Sequence, residues 1–124
     1  MLVAVLNQPQ LNILLDLINL NYIKTDCFEL RLDYLLPSLA IENITTVCQV
    51  IKNHNKKIIF TLRSINDHGL YNLDEHSRLV LLNKLVALNY QLIDYVDLEH
   101  YIDLSFIKLF KKNYPQIKII RSYH

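Results

Sequence analysis

Apolar positions along this chain switch repeatedly between two periods. Leu2 to Leu6 is a short apolar run that predicts a first strand, and Asn7-Gln-Pro-Gln10 breaks it. Leu11, Leu14, Leu15 and Ile18 then recur at helical spacing as far as Asn21. Cys27 to Asp33 alternates instead. Phe28, Leu30 and Leu32 fall on one face of an extended segment, and Glu29, Arg31 and Asp33 fall on the other. Pro37 ends that strand. Ser38 is the expected N-cap of a helix of roughly 15 residues with Ile41, Ile44, Val47, Cys48 and Ile51 as its buried stripe. Lys56-Lys57 closes the helix, and Ile58 to Arg63 reads as another strand. Ser64 to Tyr71 is a loop with the only glycine, Gly69. Asn72 is the expected cap of the next helix, with Glu75 in capping-box position and Leu79, Leu82, Leu85 and Val86 as its stripe. Leu92 to Glu99 predicts a strand. Asp103 to Asn113 predicts a helix with Leu104, Ile107 and Phe110 or Lys111 near one face. Tyr114-Pro115 stops it, and Ile117 to His124 starts a fifth strand.

Strand and helix alternate with connections of a few residues, the signature of βαβ units and a parallel sheet. The expected class is α/β, with residues 1–124 as a single segment of about four and a half βα units. Two architectures accommodate it: a small doubly wound sheet, or a partial (β/α)8 barrel, which when complete takes ~250 residues. In both, a site forms at the carboxyl ends of the strands. Those ends carry Glu29, Arg31 and Asp33; Thr61 and Arg63; Asp97 and Glu99; Ser122 and His124. The strand beginnings carry lysines only: Lys56, Lys57 and Lys118. Parallel strands are normally covered on both faces, so a charged strand face points to an enclosed site.

Composition narrows the partners. A hydrophobic content of 52% with 20% charged residues describes a globular chain. The net charge of +1, with Lys and Arg dispersed, argues against nucleic acid or an anionic membrane as main partner. Cys27 and Cys48 read as reduced, buried thiols rather than a disulfide framework. The start of the chain has neither the basic region nor the cleavage site of a signal peptide, and no apolar run is long enough to span a bilayer. The expectation is a cytoplasmic protein. No histidine or cysteine spacing matches a ligand set, so no metal is expected. No cofactor is expected either.

Glu29-Leu-Arg-Leu-Asp33, Phe60-Thr-Leu-Arg-Ser64, Asp94-Tyr-Val-Asp-Leu-Glu99 and Ser122-Tyr-His124 resemble, in order and spacing, the strand-end motifs of type I 3-dehydroquinate dehydratase. The resemblance covers nearly the whole chain and the N-terminal half of that family's (β/α)8 barrel. It implies a shikimate-pathway lyase acting on 3-dehydroquinate, in which a lysine forms a Schiff base with the ketone and a histidine removes the α-proton and helps water leave. Carried over by position, His124 resembles that general acid/base, a role that suits an imidazole. Glu29, Arg31 and Arg63 resemble the groups that hold the substrate's hydroxyls and polar edge. Asp67 stands where the family has a glutamate that orients the histidine, and His68 replaces a glycine. The family's Schiff-base lysine lies on the strand after the histidine strand. The chain's own lysines begin strands or sit on or near helices, so the isolated chain is expected to lack Schiff-base dehydration.

The residues leave other readings open. Glu29 and Arg31 also fit a structural ion pair, and Asp33 a structural contact to backbone at the strand-to-helix turn. Asp97 and Glu99 either hold neighbouring site residues or fill a polar layer. His54, His76 and His100 fit the surface, and the tyrosines fit core and rim packing. The alternative function is a non-catalytic half-barrel scaffold that binds a small anion or a partner chain. A complete small α/β domain of other function is a third reading. A half-barrel leaves a strand edge unpaired on each side, so a homodimer or association through open barrel edges is expected.

Overall fold

The computed structural model describes residues 1–123. Five parallel strands form one sheet in the order β1-β2-β3-β4-β5: β1 (Val3–Leu6), β2 (Cys27–Arg31), β3 (Lys57–Thr61), β4 (Tyr95–Glu99) and β5 (Lys118–Ser122). The helices are α1 (Leu11–Asn21), the single turn α2 (Leu32–Leu35), α3 (Ile41–Asn53), α4 (Glu75–Asn89) and α5 (Leu104–Asn113). Each strand pairs in parallel with its successor along the chain. Right-handed crossovers in such an order place every connecting helix on the same face of the sheet. This is a partial α/β barrel, the one of the two architectures open to the strand and helix pattern that the family resemblance implies.

The helix-covered face holds the core. Leu6, Phe28, Leu30, Ile58, Phe60, Leu62, Val96 and Leu98 from the strand segments are buried against Leu14, Ile18, Ile44, Val47, Ile51, Leu82, Leu85 and Phe110 from the helices. The other face carries the opposite residues of each strand. Its registered row Val5, Glu29, Ile59 and Tyr95 is followed one step up by Arg31, Thr61 and Asp97. So the charged face of β2 is not sandwiched between helix layers. It lines the face opposite the helices, where Lys57 and Lys118 stand among apolar residues at the strand starts and polar residues gather toward the strand ends. Val3 and Val5 on edge strand β1 remain exposed. At the opposite edge, a groove of about 630 Å³ between α5 and β5 is lined by Ile107, Lys111, Ile117, Lys118 and Arg121 among others.

Local chemistry departs from the sequence pattern in five places. Strand β2 stops at Arg31, and Leu32–Leu35 turns helical, so Asp33 leaves the alternation and is fully buried. Helix α3 starts at Ile41 with Ala40 at its N-cap, and no Ser38 cap forms. Helix α4 is capped by Asp74, whose carboxylate accepts from the Ser77 N–H at 2.8 Å, rather than by Asn72. That bond holds Asp74 below the usual carboxylate range. On α4 the buried stripe includes Arg78 and Asn89, with Leu79 only half-buried. Asn89 accepts from Thr45 at 2.7 Å and donates to the Leu85 carbonyl at 2.8 Å, tying α4 to α3. Leu104 on α5 is exposed, leaving Ile107 and Phe110 as that helix's buried residues.

Both cysteines are free and buried. Burial pushes the Cys27 thiol up to about 11 and the Cys48 thiol up to about 12, from an ordinary value of 9.0. A raised native pKa means that the unfolded chain releases these protons first as pH rises. Stability is therefore retained below pH ~9 and falls between about 9 and 12. Chemical denaturation at stepped alkaline pH should show that fall. Cys48→Val should flatten it, and an unchanged slope in that variant would assign the loss to other groups.

Candidate active site at the C-terminal rim

Four strands deliver polar side chains to one rim, and these bond across strands. Glu29 on β2 accepts from the Thr61 hydroxyl on β3 at 2.6 Å. Arg63, just past β3, donates through Nη1 to Asp97 on β4 at 3.2 Å and to the Ser122 hydroxyl on β5 at 3.0 Å. Ser122 in turn donates to the same Asp97 oxygen at 2.5 Å. Among the described residues Arg63 is engaged through Nη1 alone, and no acceptor meets its Nε or Nη2. The Arg63 side chain is only 8% exposed, which keeps its charge in a weakly screened setting.

Arg31 is placed differently. Its Nε and Nη2 grip both oxygens of Asp33, at 3.0 and 2.8 Å, and its guanidinium lies over the Tyr34 ring, 4.9 Å from the centroid. The hydrogen bond to Asp33 raises the Arg31 pKa against the opposing effect of burial. The ion pair at this strand end is thus Arg31 with Asp33, and not Arg31 with Glu29. Asp33 also accepts from the Arg63 N–H at 3.4 Å and the Leu70 N–H at 3.1 Å. Its structural role extends beyond its own turn: it ties the end of β2 to the loop after β3.

That loop, residues 64–70, is shaped largely by its main chain. The Ser64 carbonyl accepts from both Asp67 and Gly69 N–H, at 2.9 and 2.8 Å. A Cβ at position 69 would lie 2.1 Å from the Arg63 carbonyl oxygen, so only glycine fits. His68 takes a left-handed conformation, φ 67°, where a glycine would meet no strain. Asp67 sits in a short 3-10 turn, Ile65–Asp67, with one carboxylate oxygen buried and unpartnered among the described residues. The Tyr101 hydroxyl lies against Asp67 and Ser64; burial and the Asp67 contact raise its pKa, and Ser64 opposes them. His124 lies outside the described residues.

Two further residues anchor this rim, and sequence reasoning reaches only the first of them. Glu99, 1% exposed, accepts from the Ser64 N–H at 3.1 Å and from Arg78 Nη1 at 3.1 and 3.3 Å. It holds neighbours rather than filling a layer. Arg78 gives no sequence signal beyond a charge one position from an apolar stripe. The lysines at strand starts, Lys57 and Lys118, lie at the far end of the sheet from the rim. Among the described residues no cluster of His, Cys, Asp and Glu is arranged to hold a metal ion.

A parallel sheet with helices on one face and a charged rim at its strand ends belongs to the α/β-barrel class, whose sites lie at that rim. Type I 3-dehydroquinase is the family whose pattern matches residues 2–124, and the chain belongs to it. Solved 3-dehydroquinate dehydratases share the fold. The Enterococcus faecalis structure superposes with a TM-score of 0.80 at 19% identity, over 99% of this chain and 52% of its own. The Geobacillus kaustophilus structure gives 0.77 at 19% identity, over 99% and 49%. The Aquifex aeolicus structure gives 0.67 at 25% identity, over 100% and 54%. The chain thus spans about half the length of these relatives. No protein with a curated description matches it significantly. Among the described residues no helix is long and apolar enough to cross a membrane.

Proposed function

We propose that this segment supplies the N-terminal half of the site of a cytoplasmic lyase that dehydrates 3-dehydroquinate to 3-dehydroshikimate. The observation that carries the reading is Arg63, held by Asp97 and Ser122 from the next two strands with an edge of its guanidinium unspent among the described residues. A rigid fork of this kind suits an oxygen-rich ring. Glu29 and Arg31 share the substrate-holding role, His124 is the general acid/base, and Asp67 orients it. A lysine from a further strand forms the Schiff base with the ketone. His124 then takes the α-proton and returns a proton to the β-hydroxyl, which leaves as water, and hydrolysis of the Schiff base frees the product and the lysine. No cofactor or metal enters this scheme, and neither nucleic acid nor membrane is a partner.

In isolation the segment binds without turning over, because its strand-start lysines are remote from the rim. The same observation favours the second reading, a non-catalytic half-barrel that holds a small anion. Two open sheet edges favour association, either as a homodimer or with a complementary barrel segment. Titration of the chain with 3-dehydroquinate, followed by borohydride trapping, tests the assignment. Binding that Arg63→Lys weakens about tenfold, the effect of losing ~1.4 kcal/mol of contact, supports the ligand role. Absence of a covalent adduct on the isolated chain is expected. Binding that is indifferent to Arg63, Arg31 and Glu29 would remove the substrate assignment.

A further inference from the structure

We propose that Arg78 is a positioning residue for Arg63, acting with Glu99 through the peptide groups on either side of it. Arg78 Nη1 donates to the Leu62 carbonyl at 2.8 Å, immediately before Arg63. Glu99 accepts the Ser64 N–H, immediately after Arg63, at 3.1 Å. The two side chains are themselves bonded, so a closed circuit runs from α4 through Leu62, Arg63 and Ser64 to β4 and back. Both members are almost wholly buried, Arg78 at 2% and Glu99 at 1% exposure.

The orientation of Arg78 is fixed from outside. Its Nε and Nη2 take the two Glu75 oxygens at 3.2 and 2.7 Å, which leaves Nη1 alone to face the loop. Burial by itself would lower the Arg78 pKa, but Glu75 and Glu99 outweigh it and raise it. An ammonium has no planar fork and cannot meet Glu75, Glu99 and the Leu62 carbonyl with this geometry. A buried charge pair is a poor device for stability alone, since apolar packing serves as well or better. Its particular product here is a pinned main chain at Arg63. Glu99 also lies 3.7 Å from Arg63 Nη1, so it restrains the side chain together with Asp97. The functional meaning of the device rests on the reading of Arg63 as a ligand-holding group. The positioning itself is observable without ligand.

The test compares Arg78→Lys and Glu99→Gln with Ile51→Val, a core variant far from the rim in chain and element. Amide exchange at Ser64 and the Arg63 Nε–H signal are followed by NMR in the free chain. Both charge variants should speed Ser64 exchange about tenfold beyond the control, corrected for global stability, and shift or broaden the Arg63 signal. If Arg78→Lys fails to fold, Glu99→Gln, which keeps an acceptor for Ser64 but loses the charge, decides the matter. Ser64 and Arg63 signals no different from the control would overturn the proposal. Titration with 3-dehydroquinate then separates the two layers. Wild-type binding weakened equally by Arg78→Lys and Arg63→Lys, without additivity, joins them. If wild type does not bind, the ligand reading falls, while the exchange and Nε–H readouts still decide the positioning.

Discussion

Replacing Asp33 by alanine should cost about 3–5 kcal/mol and cripple ligand binding, the largest effect expected of any single change at the rim. Three separate groups lose their partner at once. Arg31 loses both hydrogen bonds of its fork, and the Arg63 and Leu70 N–H groups lose their acceptor. The guanidinium, 21% exposed, can recover part of the loss by turning to water. The two amides have less recourse, because Asp33 is completely buried and leaves a void behind. Each orphaned buried group costs about 1–3 kcal/mol. Asp33→Asn distinguishes charge from hydrogen bonding, since it keeps one acceptor oxygen but removes the charge opposite Arg31. Urea denaturation measures both variants. A loss under about 1 kcal/mol for Asp33→Ala would mean that these amides find other acceptors or water.

Arg78→Met should be nearly as severe, at about 3–5 kcal/mol, and its double-mutant partner makes the cause legible. Methionine fills most of the volume but strands Glu99, whose carboxylate then keeps only the Ser64 N–H and the more distant Arg63. Removing that second charge in Arg78→Met/Glu99→Gln should recover part of the stability. The double variant should therefore be more stable than the sum of the single losses by about 1–3 kcal/mol, since the residues are in direct contact. Strict additivity would show that each side chain acts on its own. Glu75, which is half exposed, should matter less: Glu75→Gln is a change at a solvent-facing pair.

Much of the architecture is legible in the periodicity. The five strands and the four longer helices emerge from alternation, helical spacing and the breakers at Pro37 and Tyr114-Pro115, because one face of each element must be apolar. What escapes is set by partners distant in sequence. Asp33 looks like the last residue of an alternating strand, yet three groups from β2 and the loop after β3 draw it into a helical turn. Ser38 and Asn72 have capping chemistry, but the chain begins its helices a few residues later, at Ala40 and Asp74. Arg78 occupies a core position that hydropathy assigns to its apolar neighbour. Only the carboxylates of Glu75 and Glu99, 3 and 21 residues away in sequence, make that placement possible. Strand-end polarity brings Glu29, Arg31, Arg63, Asp97 and Ser122 to one rim. It does not say that Arg31 turns to Asp33 while Arg63 bonds through Nη1 to Asp97 and Ser122.

The sheet runs in chain order, and this bears on how the molecule is made. Every strand after the first finds its neighbour in the strand synthesised just before it, so no pairing has to wait for a distant segment. Each newly emerged βα unit can be laid against a template already in place, which suits growth from the N-terminus during translation. The last strand in that order, β5, is laid down on a sheet of four strands already paired.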